Sequence, residues 1–180
     1  MNKGWEWDAF DPRLTGPVPS GYVLTTRHQV VEFDYWGLNA LASQRFVDLC
    51  DAFELNVQAV PVEVVQSGRK PTTKPYYYYL RWGTWASVVD LERSDLTLER
   101  DLASGQVLQH LYFPDVPMLA TVAEFVVDEE KIPSAAAFPC LDLGYDLVCN
   151  DEFRQACESE GLLGVGFEPL TGYRKADFWD

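Results

Sequence analysis

The sequence is poor in the residues that most often do chemistry. It has two histidines, His28 and His110, so any Ser-His-Asp or Cys-His mechanism must use one of them. Neither has a catalytic context, and His28, within "HQVVEFDYWG", reads as a surface or satisfied core residue of a strand. No nucleophile elbow, dinucleotide fingerprint, Walker A loop, H-E-x-x-H or EF-hand loop occurs. The nearest glycine-rich string, "GLLGVGFEP", follows a helix pattern instead of leading into one, so it offers phosphate no helix N-terminus. The four cysteines, Cys50, Cys140, Cys149 and Cys157, include no C-x-x-C pair and no histidine at zinc spacing. They read as reduced thiols, and neither a metal nor a cofactor is expected.

Long apolar runs are missing too. None approaches the roughly 18 residues that cross a bilayer, so no membrane partner is expected. The opening "MNKGWEWDAFDPRLTGP" lacks the apolar centre of a signal peptide, which points to the cytoplasm. Positive charge is scarce: the net charge is -14. Such a surface repels nucleic acid and anionic membranes. The first 90 residues hold ten acids and eight bases, the last 90 eighteen acids and six bases. The acidity therefore belongs to the second half. It suits a basic partner, and equally it suits solubility alone.

What is present describes a globular protein. A chain of 180 residues with 47% hydrophobic and 14% aromatic residues can bury a substantial core. The Trp-, Pro- and Gly-rich residues 1–20 read as an irregular arm, with Trp5, Trp7 and Phe10 folding back on the body. "YVLTTRHQVVEFDYW" reads as one or two strands. In "LASQRFVDLCDAFEL", Phe46, Leu49, Cys50 and Phe53 make one apolar stripe, predicting a helix near residues 43–54 with Ser43 as N-cap. "NVQAVPVEVV" reads as a strand in which Pro61 favours an edge or bulge. "LERSDLTLERDLASGQ" reads as a hairpin or short helix. "PMLATVAEFVVDEEKIP" holds a strand ending in the acidic turn Asp128, Glu129, Glu130, and "AAFPCLDLGYDLVC" one or two more strands.

"NDEFRQACESEGLLGVGFEPL" is the most orderly stretch. Asn150 is a good N-cap, Asp151 and Glu152 suit the first turn, and Phe153, Ala156 and Cys157 face inward. Gly161 suits a left-handed stop, predicting a helix near residues 150–160 and then a buried strand closed by Pro169. A shift of 107 residues lays Phe46 on Phe153, Cys50 on Cys157, Leu55 on Leu162 and Val60 on Phe167. Two equivalent helix-then-strand elements on a common sheet give an α+β class: one domain over residues 21–170, a mixed or mainly antiparallel sheet, two amphipathic helices, and a tail at 171–180.

The four tyrosines and the "LRW" after them suit a strand. An aromatic cleft over Tyr76–Trp85 serving a small ligand or an enzyme is the alternative reading. A partner surface is the main one, on the acids Asp90, Glu92, Asp95, Glu99 and Asp101, then Glu124, Asp128, Glu129 and Glu130, with Trp82 and Trp85 as exposed anchors.

The order of parts resembles a bacterial immunity-protein family of polymorphic toxin systems, first described as a domain of unknown function. "YYYYL", "VVDLERS", "FVVDEEKI" and "VCNDEFRQACESEGLLGVGFEPL" carry the likeness, which covers roughly residues 20–170. The resemblance implies a cytoplasmic antitoxin that is not an enzyme. It would bind a cognate secreted toxin, a basic one on the charge argument, and occlude its active site. It carries no catalytic residue.

With no structural metal or disulfide, the chemical-unfolding midpoint should be the same with and without chelator or reductant. A change in stability above about 1 kcal/mol under either treatment would refute this.

Overall fold

The computed structural model describes residues 13–14, 21–37 and 40–176. Trp5, Trp7 and Phe10 lie outside the described residues. The architecture is α+β, with a mixed sheet and two principal helices. The chain forms two compact units. The described residues up to Gly83 join Cys149–Val165 in the first, and Thr84–Val148 joins the residues from Gly166 onward in the second.

The first unit holds strands β1 (Tyr22–Thr26), β2 (Tyr35–Trp36), β3 (Leu41–Ala42), β4 (Val57–Gln66) and β5 (Tyr76–Trp82). They lie in the order β1-β4-β5-β3-β2, parallel between β1 and β4 and antiparallel elsewhere. Pro61 is therefore inside the sheet, not on an edge strand. It is tolerated because β1 pairs only from Val62 onward, so the missing N–H interrupts no β1 bond. β5 fills the core: Tyr77, Tyr79, Leu80, Arg81 and Trp82 are all buried. The expected alternation fails at its end, where both faces are covered, and Trp82 is 3% exposed. It is not an exposed anchor, and of the tyrosine run only Tyr76 stands clear of the protein.

Helix α1 (Gln44–Ala52) starts where Ser43 accepts the Phe46 N–H at 3.4 Å, and helix α2 (Asp151–Ser159) where Asn150 accepts the Phe153 N–H at 2.9 Å. The two N-caps are 107 residues apart, and so are the two stops. Glu54 (φ +51°) and Gly161 (φ +61°) both turn left-handed, and Leu55 and Leu162 donate their N–H to Cys50 and Cys157. The correspondence between the helices is thus real. Phe46 stacks on Tyr35 at 4.6 Å, and Phe153 meets the edges of Phe46 and Phe53. Cys50 and Cys157 are buried on the same faces. The segments after the two helices differ. Residues 57–66 form β4, whereas residues 162–169 form no strand, and the expected buried strand there is wrong.

The reason is Asp34, whose side chain is fully buried. Its carboxylate accepts the Ser43 hydroxyl at 2.6 Å, the Leu163 N–H at 2.9 Å and Arg45 Nη1 at 3.1 Å, with Lys74 Nζ at 3.7 Å. Its own N–H donates to Leu163 O at 2.6 Å, and Tyr35 N–H to the same oxygen at 3.3 Å. The chain after α2 spends its backbone groups here instead of on a ladder. Gly164 (φ +83°) lies so close that an added Cβ would meet Tyr35 O at 2.7 Å.

The second unit holds β6 (Asp95–Leu98), β7 (Gln109–His110), β8 (Phe113–Pro117), β9 (Leu119–Glu124), β10 (Ala137–Pro139) and β11 (Leu147–Cys149), the last ending at the unit boundary. They pair as β6-β9, β7-β8 and β10-β11 around Val88, Val89, Leu119, Val122, Phe125, Phe138 and Cys140. Residues 91–106 carry strand and turns and no helix. Of the expected tail, Lys175 bridges to Val122 and Tyr173 meets the Phe125 ring.

Burial would raise the Asp34 pKa, but its bonds to Leu163 and Ser43 and the charges of Lys74 and Arg45 outweigh this and hold it below the ordinary 3.8. A lowered folded pKa gives stability that is complete above the unfolded value and is lost as pH falls through the folded one. Asp34→Ala should cost about 3 kcal/mol at neutral pH. In Asp34→Asn the fall of stability with pH below 3.8 should be shallower than in the wild type. Equal acid slopes in urea titrations would contradict the assignment.

Candidate functional site

The two acidic runs are far apart in sequence, and the second unit lays them side by side. Asp90 N–H donates to Val126 O at 2.8 Å, Asp128 N–H donates to Val88 O at 2.8 Å, and Val89 pairs with Val127 between them. Ser94 Oγ accepts the Val126 N–H at 2.9 Å, and Asp95 is the cross-strand partner of Glu124. Asp90, Glu92 and Asp95 from the first run thus join Glu124, Asp128, Glu129 and Glu130 from the second on one ribbon. Glu99 and Asp101 lie beyond the other end of β6.

A buried carboxylate holds this ribbon from beneath. Asp142 accepts the N–H groups of Val88 at 2.6 Å and Val89 at 3.0 Å, and the Ser87 hydroxyl at 2.8 Å. It sits in a single 3₁₀ turn, Leu141–Leu143. Nothing in the local sequence "CLDLG" marks it; its amide and hydroxyl partners are more than 50 residues away.

The acids divide by chemistry. Aspartate is short enough to reach its own backbone and brace a turn. Asp90 accepts the N–H groups of Glu92 and Arg93, Asp101 those of Ala103 and Ser104, and Asp128 that of Glu130. By contrast, among the described residues no hydrogen bond or ion pair holds the side chains of Glu92, Glu99, Glu124, Glu129 or Glu130, and one aspartate, Asp95, which lies in β6 and not at a turn, is equally free. The division was available from the sequence, since Asp90, Asp101 and Asp128 each begin a polar turn.

The unit holds 15 acidic and five basic residues, a balance of -10 out of the chain's -14. Every one of its bases is engaged locally. Arg93 pairs with Asp90 at 3.7 Å, and Lys131 with Asp128 at 3.3 Å and with Val89 O. Arg100 donates to Gly105 O, Arg174 to Ala123 O and Lys175 to Leu119 O. The glutamates are left as a concentrated negative field.

Trp85 packs in an aromatic cluster. It is half-buried, with its ring 5.5 Å from both Phe113 and Tyr145. His110 joins this cluster through Tyr145 Oη at 3.2 Å. Burial pushes the His110 pKa down, against the charge of Asp142. Cys140 bonds to Asp142 at 3.6 Å, not to His110, and burial pushes its thiol up to about 12. Burial likewise raises Cys50 to about 12 and Cys157 to about 11. These are poor nucleophiles, since the thiolate is the reactive form. Among the described residues no group of three or more His, Cys, Asp or Glu is arranged to hold a metal. No helix there is long and apolar enough to cross a membrane.

Fold and site together describe a small α+β protein whose distinguishing feature is an acidic surface braced from within. The chain belongs to the immunity protein family Imm11, whose family model matches residues 9–171, and this gives it an immunity role. The match starts ahead of the residue-20 boundary that the sequence patterns indicate, and it ends before the final "GYRKADFWD". A comparison with curated proteins finds no match.

Asp90→Ala and Asp128→Ala should each destabilise by about 1 kcal/mol through loss of a cap. Glu92→Ala and Glu129→Ala should stay within about 0.5 kcal/mol of the wild type. Urea midpoints measure both, and equal effects would dissolve the distinction.

Proposed function

We propose that the protein is an antitoxin that binds a cognate secreted toxin in the cytoplasm and occludes its active site without doing chemistry of its own. The family match over residues 9–171 carries this reading. The second unit supports the place of contact. A surface of uncompensated glutamates attracts a basic partner over roughly a Debye length and speeds encounter. The partner proposed is therefore a basic toxin domain. The ligand-cleft reading has no comparable support, because Tyr77, Tyr79 and Trp82 are core residues.

The test starts from the adjoining reading frames, one of which should encode the cognate toxin domain. Wild-type protein should form a one-to-one complex with it and abolish its activity. Glu92, Glu129 and Glu130, all exposed and free of turn-bracing bonds, are reversed together to lysine. The matched control reverses Asp48, Asp51 and Glu54 of the first unit, which are exposed on and just after α1. The first triple should slow association about tenfold at low salt and flatten its salt dependence. The second should change it less than about twofold. Equal effects would mean that only net charge matters, and no complex with the wild type would end the antitoxin reading.

A further inference from the structure

Beyond the end of β6 the chain makes a projecting hairpin. Its base is tied into the unit: Glu99 N–H donates to Met118 O, Leu108 N–H to Glu99 O and Met118 N–H to Leu108 O, all within 2.8–2.9 Å. Arg100 bridges to Val107, and Asp101 N–H closes on Gln106 O at 2.9 Å. The tip is Leu102, Ala103, Ser104 and Gly105.

The tip is braced from several directions. Asp101 Oδ1 accepts the Ala103 N–H at 3.2 Å, and the Ser104 N–H and hydroxyl at 2.7 Å each. Gly105 N–H donates to Asp101 O at 2.8 Å, and Arg100 Nη1 to Gly105 O at 2.9 Å. Gly105 takes φ +70°, which a residue with a Cβ rarely adopts. All of these bonds come from Arg100, Asp101, Ala103, Ser104 and Gly105. The Leu102 side chain contributes to none of them.

Leu102 is 104% exposed, against 74% for Leu111, the next most exposed leucine among the described residues. Scattered surface leucines are ordinary. One held fully clear of the protein at the tip of a braced turn, where turn chemistry favours small polar residues, is not explained by folding. A rigid tip also loses little freedom when it docks, which is the condition for an efficient anchor.

We propose that Leu102 is the apolar anchor of the toxin contact, inserted by the 99–108 hairpin into an apolar pocket with a basic rim. The rim follows from Glu99, which lies just before the tip, and from the unit's balance of -10. Asp101 is a positioning residue. The inference rests on the antitoxin reading and deepens it. The ribbon glutamates set the rate of arrival, and the hairpin sets the lifetime of the complex.

The two are separable with the full chain and the cognate toxin domain. Leu102→Ser should raise the dissociation rate about tenfold or more, with association changed less than about twofold. Leu102→Met should restore it, and Leu111→Ser should match the wild type. Unchanged melting midpoints establish that the variants fold. Asp101→Ala should weaken binding, while Asp101→Asn, which keeps the bracing oxygen, should retain it; equal loss would make Asp101 a matter of charge and overturn its positioning role. A wild type that binds while Leu102→Ser dissociates normally would overturn the anchor and leave the antitoxin reading standing. A wild type that does not bind would overturn both.

Discussion

The first unit is organised by one buried carboxylate. Asp34 has no exposure, and an isolated charge there would be severely penalised. It is tolerated because two cations, a hydroxyl and an amide converge on it. Meeting that demand fixes the rest. Ser43 can both cap α1 and donate to Asp34 only if the helix starts where it does. Leu163 can donate only if the chain leaves α2 in the left-handed turn at Gly161. Arg45, on the first turn of α1, reaches both Asp34 and Glu160 O at the end of α2. The two helices are therefore placed by a polar cluster, and Phe46, Phe53 and Phe153 then fill the space between them.

The second unit repeats the principle with a different donor set. Asp142 is satisfied by backbone amides and a hydroxyl, and no cation lies within ion-pair distance of it among the described residues. Amide donors commit the carboxylate to backbone placement. With the N–H groups of Val88 and Val89 turned inward to Asp142, the next residue, Asp90, is presented to Val126 across the ribbon. A single interior aspartate thereby aligns two acidic segments that would otherwise repel. The alignment costs electrostatic free energy, which the ordered amides and the apolar core around Val88, Val89 and Phe138 must offset.

Local order was legible and long-range commitments were not. The stripes Phe46/Cys50 and Phe153/Cys157, the caps Ser43 and Asn150 and the stop at Gly161 are all nearest-turn effects, and they located both helices to within a residue or two. "YYYYLRW" read as a strand because bulky aromatic and aliphatic side chains suit a pleated surface. "LLGVGFEPL" misled because its apolar content suited a strand equally well, while the partner that captured it, Asp34, lies 129 residues away. Trp82 misled for a related reason. Exposure is a property of what comes to lie over a side chain, and sequence records only what lies beside it. The acidic clusters were found as composition, but their adjacency depends on Asp142, which no local pattern reveals.

The difference between aspartate and glutamate shows why so acidic a surface can still be well formed. A carboxylate that braces a turn is satisfied before any partner arrives, and it holds its neighbours in one geometry. A glutamate has one more methylene, spans its own turn poorly and extends into solvent, where its charge acts at a distance. Leaving the bracing of the turns to aspartates and the free charge to glutamates, some of them within those same turns, separates shape from field. The turns at Asp90, Asp101 and Asp128 keep the backbone rigid under mutual repulsion. The glutamates at 92, 99, 124, 129 and 130, with Asp95 in β6, supply the repulsion and, toward a basic partner, the attraction. Without the aspartate braces the same field would loosen the loops that carry it. The order of an acidic surface of this kind therefore depends less on how many carboxylates it has than on which of them are already satisfied.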